Sequence, residues 1–237
     1  MHDSSFTFGS AVDRLSPMPI IPAGNAARKA HDTTCAMPRR NVLIGARLFF
    51  GVLTLAAIGT QLVIHVQSGF SVVNFFSYFT NLSNIFAAVV MTIGAISLLR
   101  HREPTTTDDI IRGTSVVCMA LVGIVFSILL RNEDLGNLLP GVNTMLHYVM
   151  PVVVVLDWLY QPPLSELAVK QIAYWLIFPL LYLAYSIIRG AIVGFYAYPF
   201  FNPDKVGGYG GVFLYCVAIL AVFLFVSWLF ADSREQT

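Results

Sequence analysis

The chain is expected to fold as an all-α, polytopic transmembrane helical bundle of about six spans, and three observations lead there. Of its 237 residues, 57% are hydrophobic and only 11% are charged, where a soluble domain carries about a quarter charged residues. Mean hydropathy is +0.72. Apolar runs recur at a length close to the roughly 20 residues that cross a hydrocarbon core at 1.5 Å each. The same composition excludes other classes. A net charge of +1 and a pI near 7.8 leave no basic stripe for phosphates, so no nucleic-acid partner is expected. Cys35, Cys118 and Cys216 are scattered without CxxC spacing, so neither a metal site nor a disulfide framework is expected. The chain has no Gly-rich phosphate loop, no HExxH and no GxSxG, and no cofactor is expected.

Taken in order, residues 1–38 read as a disordered polar tail, too poor in apolar periodicity to build a core. It lacks the apolar stretch of a cleavable signal peptide. Met37-Pro38-Arg39-Arg40 followed by apolar residues resembles a membrane-protein beginning, so a start at Met37 is an open alternative. A membrane domain is expected over 39–232 and a short tail over 233–237. Within the domain the spans fall near 42–66, 75–99, 110–131, 142–160, 169–193 and 209–231. The fourth is interrupted by Pro151 and Asp157. Brief connections make consecutive helices antiparallel neighbours. Arg28, Lys29, Arg39, Arg40, Arg100, Arg102, Arg112, Lys170 and Arg234 fall on one side of this topology. By the positive-inside rule both termini are then cytoplasmic, in a multi-pass protein of the cell (inner or plasma) membrane.

Local chemistry concentrates in Phe75-Phe76-Ser77-Tyr78-Phe79-Thr80-Asn81-Leu82-Ser83-Asn84. Lipid offers Thr80, Asn81, Ser83 and Asn84 no partners, so they are expected to face protein or a water-filled cavity. The topology brings further polar groups to the same outer depth. Asn143 and His147 form an i, i+4 pair at the start of the fourth span. Tyr182, Tyr185, Ser186 and Arg189 repeat at three and four residues near the end of the fifth. His65 reads as an interfacial packing group and Asp157 as a structural residue at the inner end.

Phe79-Thr80, His147 with Pro151 four residues on, and Tyr198-Pro199-Phe200 resemble the FAR/AIG-like, or androgen-induced-gene type, integral membrane proteins, specifically their shorter bacterial relatives. The resemblance covers roughly residues 42–231. It implies a threonine hydrolase that cleaves fatty-acid esters of hydroxy fatty acids, with Thr80 as nucleophile and His147 as base. Two features depart from the pattern: Asn81-Leu82-Ser83-Asn84 follows the threonine, and the His147–Pro151 spacing is one residue shorter.

Elementary chemistry is compatible with that role. A threonine hydroxyl needs an adjacent base, which a neutral histidine supplies. Asn81 or Asn84 could donate to an oxyanion, and Arg189 could hold a carboxylate. The sequence lacks an obvious acid to orient His147; Glu133 or Asp134 could serve, but both are expected in solvent. The leading expectation is a membrane-embedded lipid-ester hydrolase acting near the outer leaflet on a lipid or fatty-acid ester from the bilayer. The alternative is a non-enzymatic lipid-binding, sensing or small-solute transport protein, in which Asn143, His147, Tyr182 and Arg189 bind a polar headgroup.

Overall fold

The computed structural model describes residues 23–133, 136–163 and 173–232. The chain divides into two compact units, Met1–Arg39 and Arg40–Thr237. The polar tail expected over 1–38 lies, as far as Pro22, outside the described residues; from Ala23 the backbone is helical.

Six helices among the described residues are long and apolar enough to cross a membrane: α1 (Arg39–Gln67), α3 (Phe79–Leu99), α4 (Thr106–Leu130), α5 (Pro140–Tyr160), α6 (Ala173–Val193) and α8 (Tyr209–Ala231). Two single turns, α2 (Val72–Phe75) and α7 (Pro203–Val206), complete the described helices with a 3₁₀ turn at Pro199–Phe201. Large apolar side chains such as Ile128, Leu181, Ile192, Phe213 and Leu214 stand exposed on the outside. In water such a surface would aggregate; it suits contact with lipid. The chain is a multi-pass membrane protein.

Among the offsets from the sequence expectation, the starts of the second and third spans each differ by four residues, each for a local reason. The second span begins at Phe79 rather than Phe75. Ser71 caps the single turn α2 by accepting from Val73 N–H, and Tyr78 then adopts an extended backbone that serves as the N-cap of α3. The third begins at Thr106 rather than 110, because Thr105 and Asp108 form a reciprocal capping box. That box satisfies two of the N–H groups a helix start leaves orphaned.

α4 is the most buried span and packs against α3, α5 and α8. Its inward side chains, among them Val116, Val117, Met119 and Val122, meet Ala87 and Met91 of α3 and Met150 and Val154 of α5 in one apolar layer. Polar groups are gathered at the two ends of this layer.

At the end where α4 starts and α5 finishes, a buried charge network joins three helices. Arg47 of α1 donates from Nε to Asp157 Oδ1 at 2.6 Å and from Nη2 to Asp157 Oδ2 at 2.8 Å. Arg112 of α4 reaches Asp157 Oδ2 at 3.3 Å and the Gln161 carbonyl at 2.8 Å. Asp157 is thus a crosslink between α1, α4 and α5. An intramembrane carboxylate is tolerated when paired and hydrogen-bonded like this. At the opposite end Gln61 fastens α1 to the α4–α5 connection, donating to the Asn137 carbonyl at 2.9 Å and accepting from Leu139 N–H at 3.1 Å.

Candidate functional site

The site is built at the end of the bundle where α3 and α5 begin. Because α3 starts at Phe79, Thr80 occupies the second helical position, among N–H groups with no intrahelical acceptor. Its N–H donates to the phenol oxygen of Tyr198 at 3.1 Å. The Thr80 hydroxyl shares a hydrogen bond of 3.2 Å with the same phenol. Tyr198 therefore caps α3 across 118 residues of chain and touches the expected nucleophile with the same atom.

The connection that brings Tyr198 there is shaped locally. Gly194 ends α6 in the left-handed region at φ 71°, open to glycine at no steric cost. One turn earlier, a Cβ at Gly190 would overlap the Tyr196 ring, so the small residue lets this connection lie against the helix. Tyr198 then stacks on Phe200 with ring centroids 5.1 Å apart and 8° between planes. Burial pushes its phenol up to about 12, while the hydrogen bonds with Thr80 pull the other way.

The carboxamides hold this helix start in place. Asn81 Nδ2 donates to the Phe75 carbonyl at 2.8 Å, tying α3 to the end of α2. Asn84 is fully buried and donates both amide protons, to Thr80 O at 2.9 Å and to Leu146 O at 3.1 Å. The second acceptor has a reason to be free. Residues Met145–Val149 form a π turn in which Met150 N–H bonds back to Met145 O. In that register the next N–H, five residues after Leu146, belongs to Pro151, which has none. Of the two expected oxyanion donors, Asn84 has no amide proton left and Asn81 keeps one.

His147 lies inside the same π turn. Its Nδ1 is 3.1 Å from the Asn143 carbonyl. A carbonyl only accepts, so Nδ1 carries the proton and the neutral ring has its lone pair on Nε2. Phe126, which opens the π turn ending α4, stacks on the imidazole at 3.8 Å and 22°. A backbone carbonyl of Asn143 therefore orients the ring, in the place of the acid that the sequence lacks. Glu133 lines the same cavity as His147, and Asp134 lies outside the described residues.

Two cavities meet at Thr80. One, of about 520 Å³, is the more polar of the two, with a mixed wall that includes Thr80, Asn81, Glu133, His147 and Tyr198 beside Phe75, Phe126 and Leu146. The other, of about 440 Å³, is almost wholly apolar and runs among α4, α6 and α8, past Leu121, Leu183 and Phe223. Thr80, Phe126, Leu130 and Tyr198 belong to both walls. His65 also lines the polar cavity, with Nε2 3.1 Å from Ser71 O and its ring against Phe70 and Phe75.

Of the remaining expected residues, Tyr182 lines a cavity wall, whereas Arg189 and Asn143 are among the lining residues of neither cavity. Tyr182 faces the apolar cavity and donates to Ser77 O at 2.9 Å. Arg189 donates from Nη2 to Asn74 Oδ1 at 2.6 Å and lies over the Phe195 ring at 4.8 Å. Its Nη1 is buried with no hydrogen-bond partner among the described residues. Asn143 contributes its backbone carbonyl, and its buried side-chain Oδ1 likewise has no partner there. Thr80 and His147 share a cavity, yet among the described residues the threonine hydroxyl pairs with Tyr198 and not with the imidazole.

Tyr198 falls in the Tyr198-Pro199-Phe200 motif but not among the expected site residues; the crowd of aromatic residues around it in the sequence is the available signal. The π turns had one, Pro151 a turn after His147. Comparisons with family models, curated proteins and solved structures give no match to this chain.

Proposed function

We propose that the chain is a membrane-embedded hydrolase of lipid (fatty-acid) esters, with Thr80 as nucleophile and His147 as general base. The observation that carries this reading is the position of Thr80 in the wall common to an apolar cavity and a more polar, mixed one, with His147 in the latter. An ester has the same division: an acyl chain suits the apolar cavity, and its carbonyl would then lie at the shared wall. In the reaction the Thr80 hydroxyl oxygen bonds to the carbonyl carbon as its proton passes to His147 Nε2. The C–O bond to the alcohol breaks, and the leaving oxygen takes that proton. Water, deprotonated by the same nitrogen, then releases the acid from Thr80. Asn81 retains an amide proton for the oxyanion; Arg189, whose Nη1 is buried with no partner among the described residues, would have to swing towards the cavity to hold a substrate carboxylate.

The reading includes an orientation. Arg40, Arg100 and Arg102 lie at span ends away from Thr80, and the positive-inside rule then favours cytoplasmic termini with Thr80 near the outer leaflet. The variant Glu133→Cys is then expected to react with a membrane-impermeant maleimide on intact cells; reaction only after permeabilisation contradicts this orientation.

One observation favours a second reading, the binding, sensing or transport of a lipid or small solute. The Thr80 hydroxyl is held by Tyr198 rather than by His147. For transport, however, a solute would have to pass the apolar layer of Met91, Val117, Met150 and Val154. Turnover separates the readings. Purified protein in detergent is expected to hydrolyse a fluorogenic long-chain fatty-acid ester, with Thr80→Ala and His147→Ala each losing at least about 100-fold. Undiminished turnover in both variants, or none in folded wild type, sinks the hydrolase.

A further inference from the structure

We infer that Tyr198 is a third catalytic residue, its phenol directing the Thr80 hydroxyl and donating to that oxygen as it becomes nucleophilic; this rests on the hydrolase reading. Two contacts to one phenol oxygen carry it. Thr80 N–H donates to it at 3.1 Å, which fixes the oxygen against the backbone of the nucleophile itself. The second contact, to Thr80 Oγ1 at 3.2 Å, is one in which either oxygen could donate. The phenol has a single proton. With the backbone N–H already on its oxygen, that proton is free to go to Oγ1.

The consequence is directional. An Oγ1 that accepts from Tyr198 keeps its own proton available for a base on its other side, and His147 stands in the cavity that Thr80 lines there. Removing that proton leaves charge on an oxygen that already receives a donor, so the phenol stabilises the attacking form without moving. Tyr198 keeps its proton throughout, and the bonds made and broken remain those between Thr80, the ester and His147. The surroundings suit such fixity. Tyr198 is buried, stacked on Phe200 and set edge-on to Tyr78 and Phe201. A helix cap alone would need only the N–H contact. The contact with the hydroxyl as well reaches the atom that reacts.

The test compares wild type, Tyr198→Phe and Thr80→Ala in full-length protein purified in detergent, read as hydrolysis of a fluorogenic long-chain ester. Tyr198→Phe is expected to keep its thermal midpoint within a few degrees and to lose about 100-fold in kcat, the size seen when one donor to a reacting oxygen is removed. A second readout is insensitive to packing alone. With Cys35, Cys118 and Cys216 replaced by alanine, Thr80→Cys places a thiol, of ordinary pKa about 8.5, opposite the phenol. The pH dependence of its alkylation by iodoacetamide is expected to move up by about one unit when Tyr198→Phe is added. If Tyr198→Phe does not fold, fluorotyrosine at 198, which alters the phenol's acidity with little change of shape, is expected to shift both readouts. Equal turnover in wild type and Tyr198→Phe, or an unmoved titration of the Thr80→Cys thiol, overturns the role of Tyr198 and leaves the hydrolase standing. Absence of turnover in wild type overturns both.

Discussion

At the scale of single residues, the site depends on atoms that satisfy one another's unmet hydrogen bonds. The Thr80 N–H, orphaned at the start of α3, is taken by Tyr198; the Leu146 carbonyl, left open by Pro151, is taken by Asn84. Such pairs matter more where water cannot substitute, since a buried polar group left unmatched costs about 1–3 kcal/mol. Tyr198 makes this measurable through pH. Its phenol is raised from the ordinary value near 10 to about 12 in the folded protein, so the unfolded chain loses that proton first as pH rises. The contribution is therefore complete below about pH 10 and is lost as pH climbs through about 12. Thermal unfolding between about pH 9 and 12 is expected to show a smaller alkaline loss in Tyr198→Phe than in wild type. Parallel curves would show that Tyr198 is not the group responsible.

At the scale of elements, the spans were legible because apolar length and sparse charge set them with little help from tertiary context. The exceptions are instructive. A run of apolar residues through Phe75-Phe76 hides the extended Tyr78 that starts α3, and no hydropathy signal separates the two turns. The acidic pair Asp108-Asp109 reads as the outside of a helix, whereas the Thr105 box puts it inside α4. Arg47 is the larger omission. It lies two turns into α1 and is buried against Asp157, and an arginine within an apolar run was the signal available. Its partner is 110 residues away, so only the fold reveals the pair. Asp157→Ala is expected to destabilise the bundle by about 3 kcal/mol, because Arg47 and Arg112 are left buried beside each other. Replacing Arg47 by Met and Asp157 by Leu together is expected to recover most of that loss. Equal destabilisation by the single and double changes, read by reversible unfolding in mixed micelles, would contradict a crosslinking role.

At the scale of the whole molecule, apolar packing through the middle of the bundle separates two polar ends with different work. One end is a closed charge network whose donors and acceptors largely satisfy each other. The other is open, with two cavities and a threonine between them. From sequence, the gathering of Thr80, Asn81 and His147 at one depth followed from topology alone, and they do line one cavity. What did not follow was the pairing, because side-chain direction depends on the π turns and on a connection folded back from α6. The claim that this open end holds an activated threonine is tested most directly by reacting the detergent-purified protein with an alkyl fluorophosphonate and mapping the adduct by mass spectrometry. The adduct is expected on Thr80, absent in Thr80→Ala and reduced at least about 100-fold in His147→Ala. Folded wild-type protein that stays unmodified, or an adduct on another residue, would contradict the account.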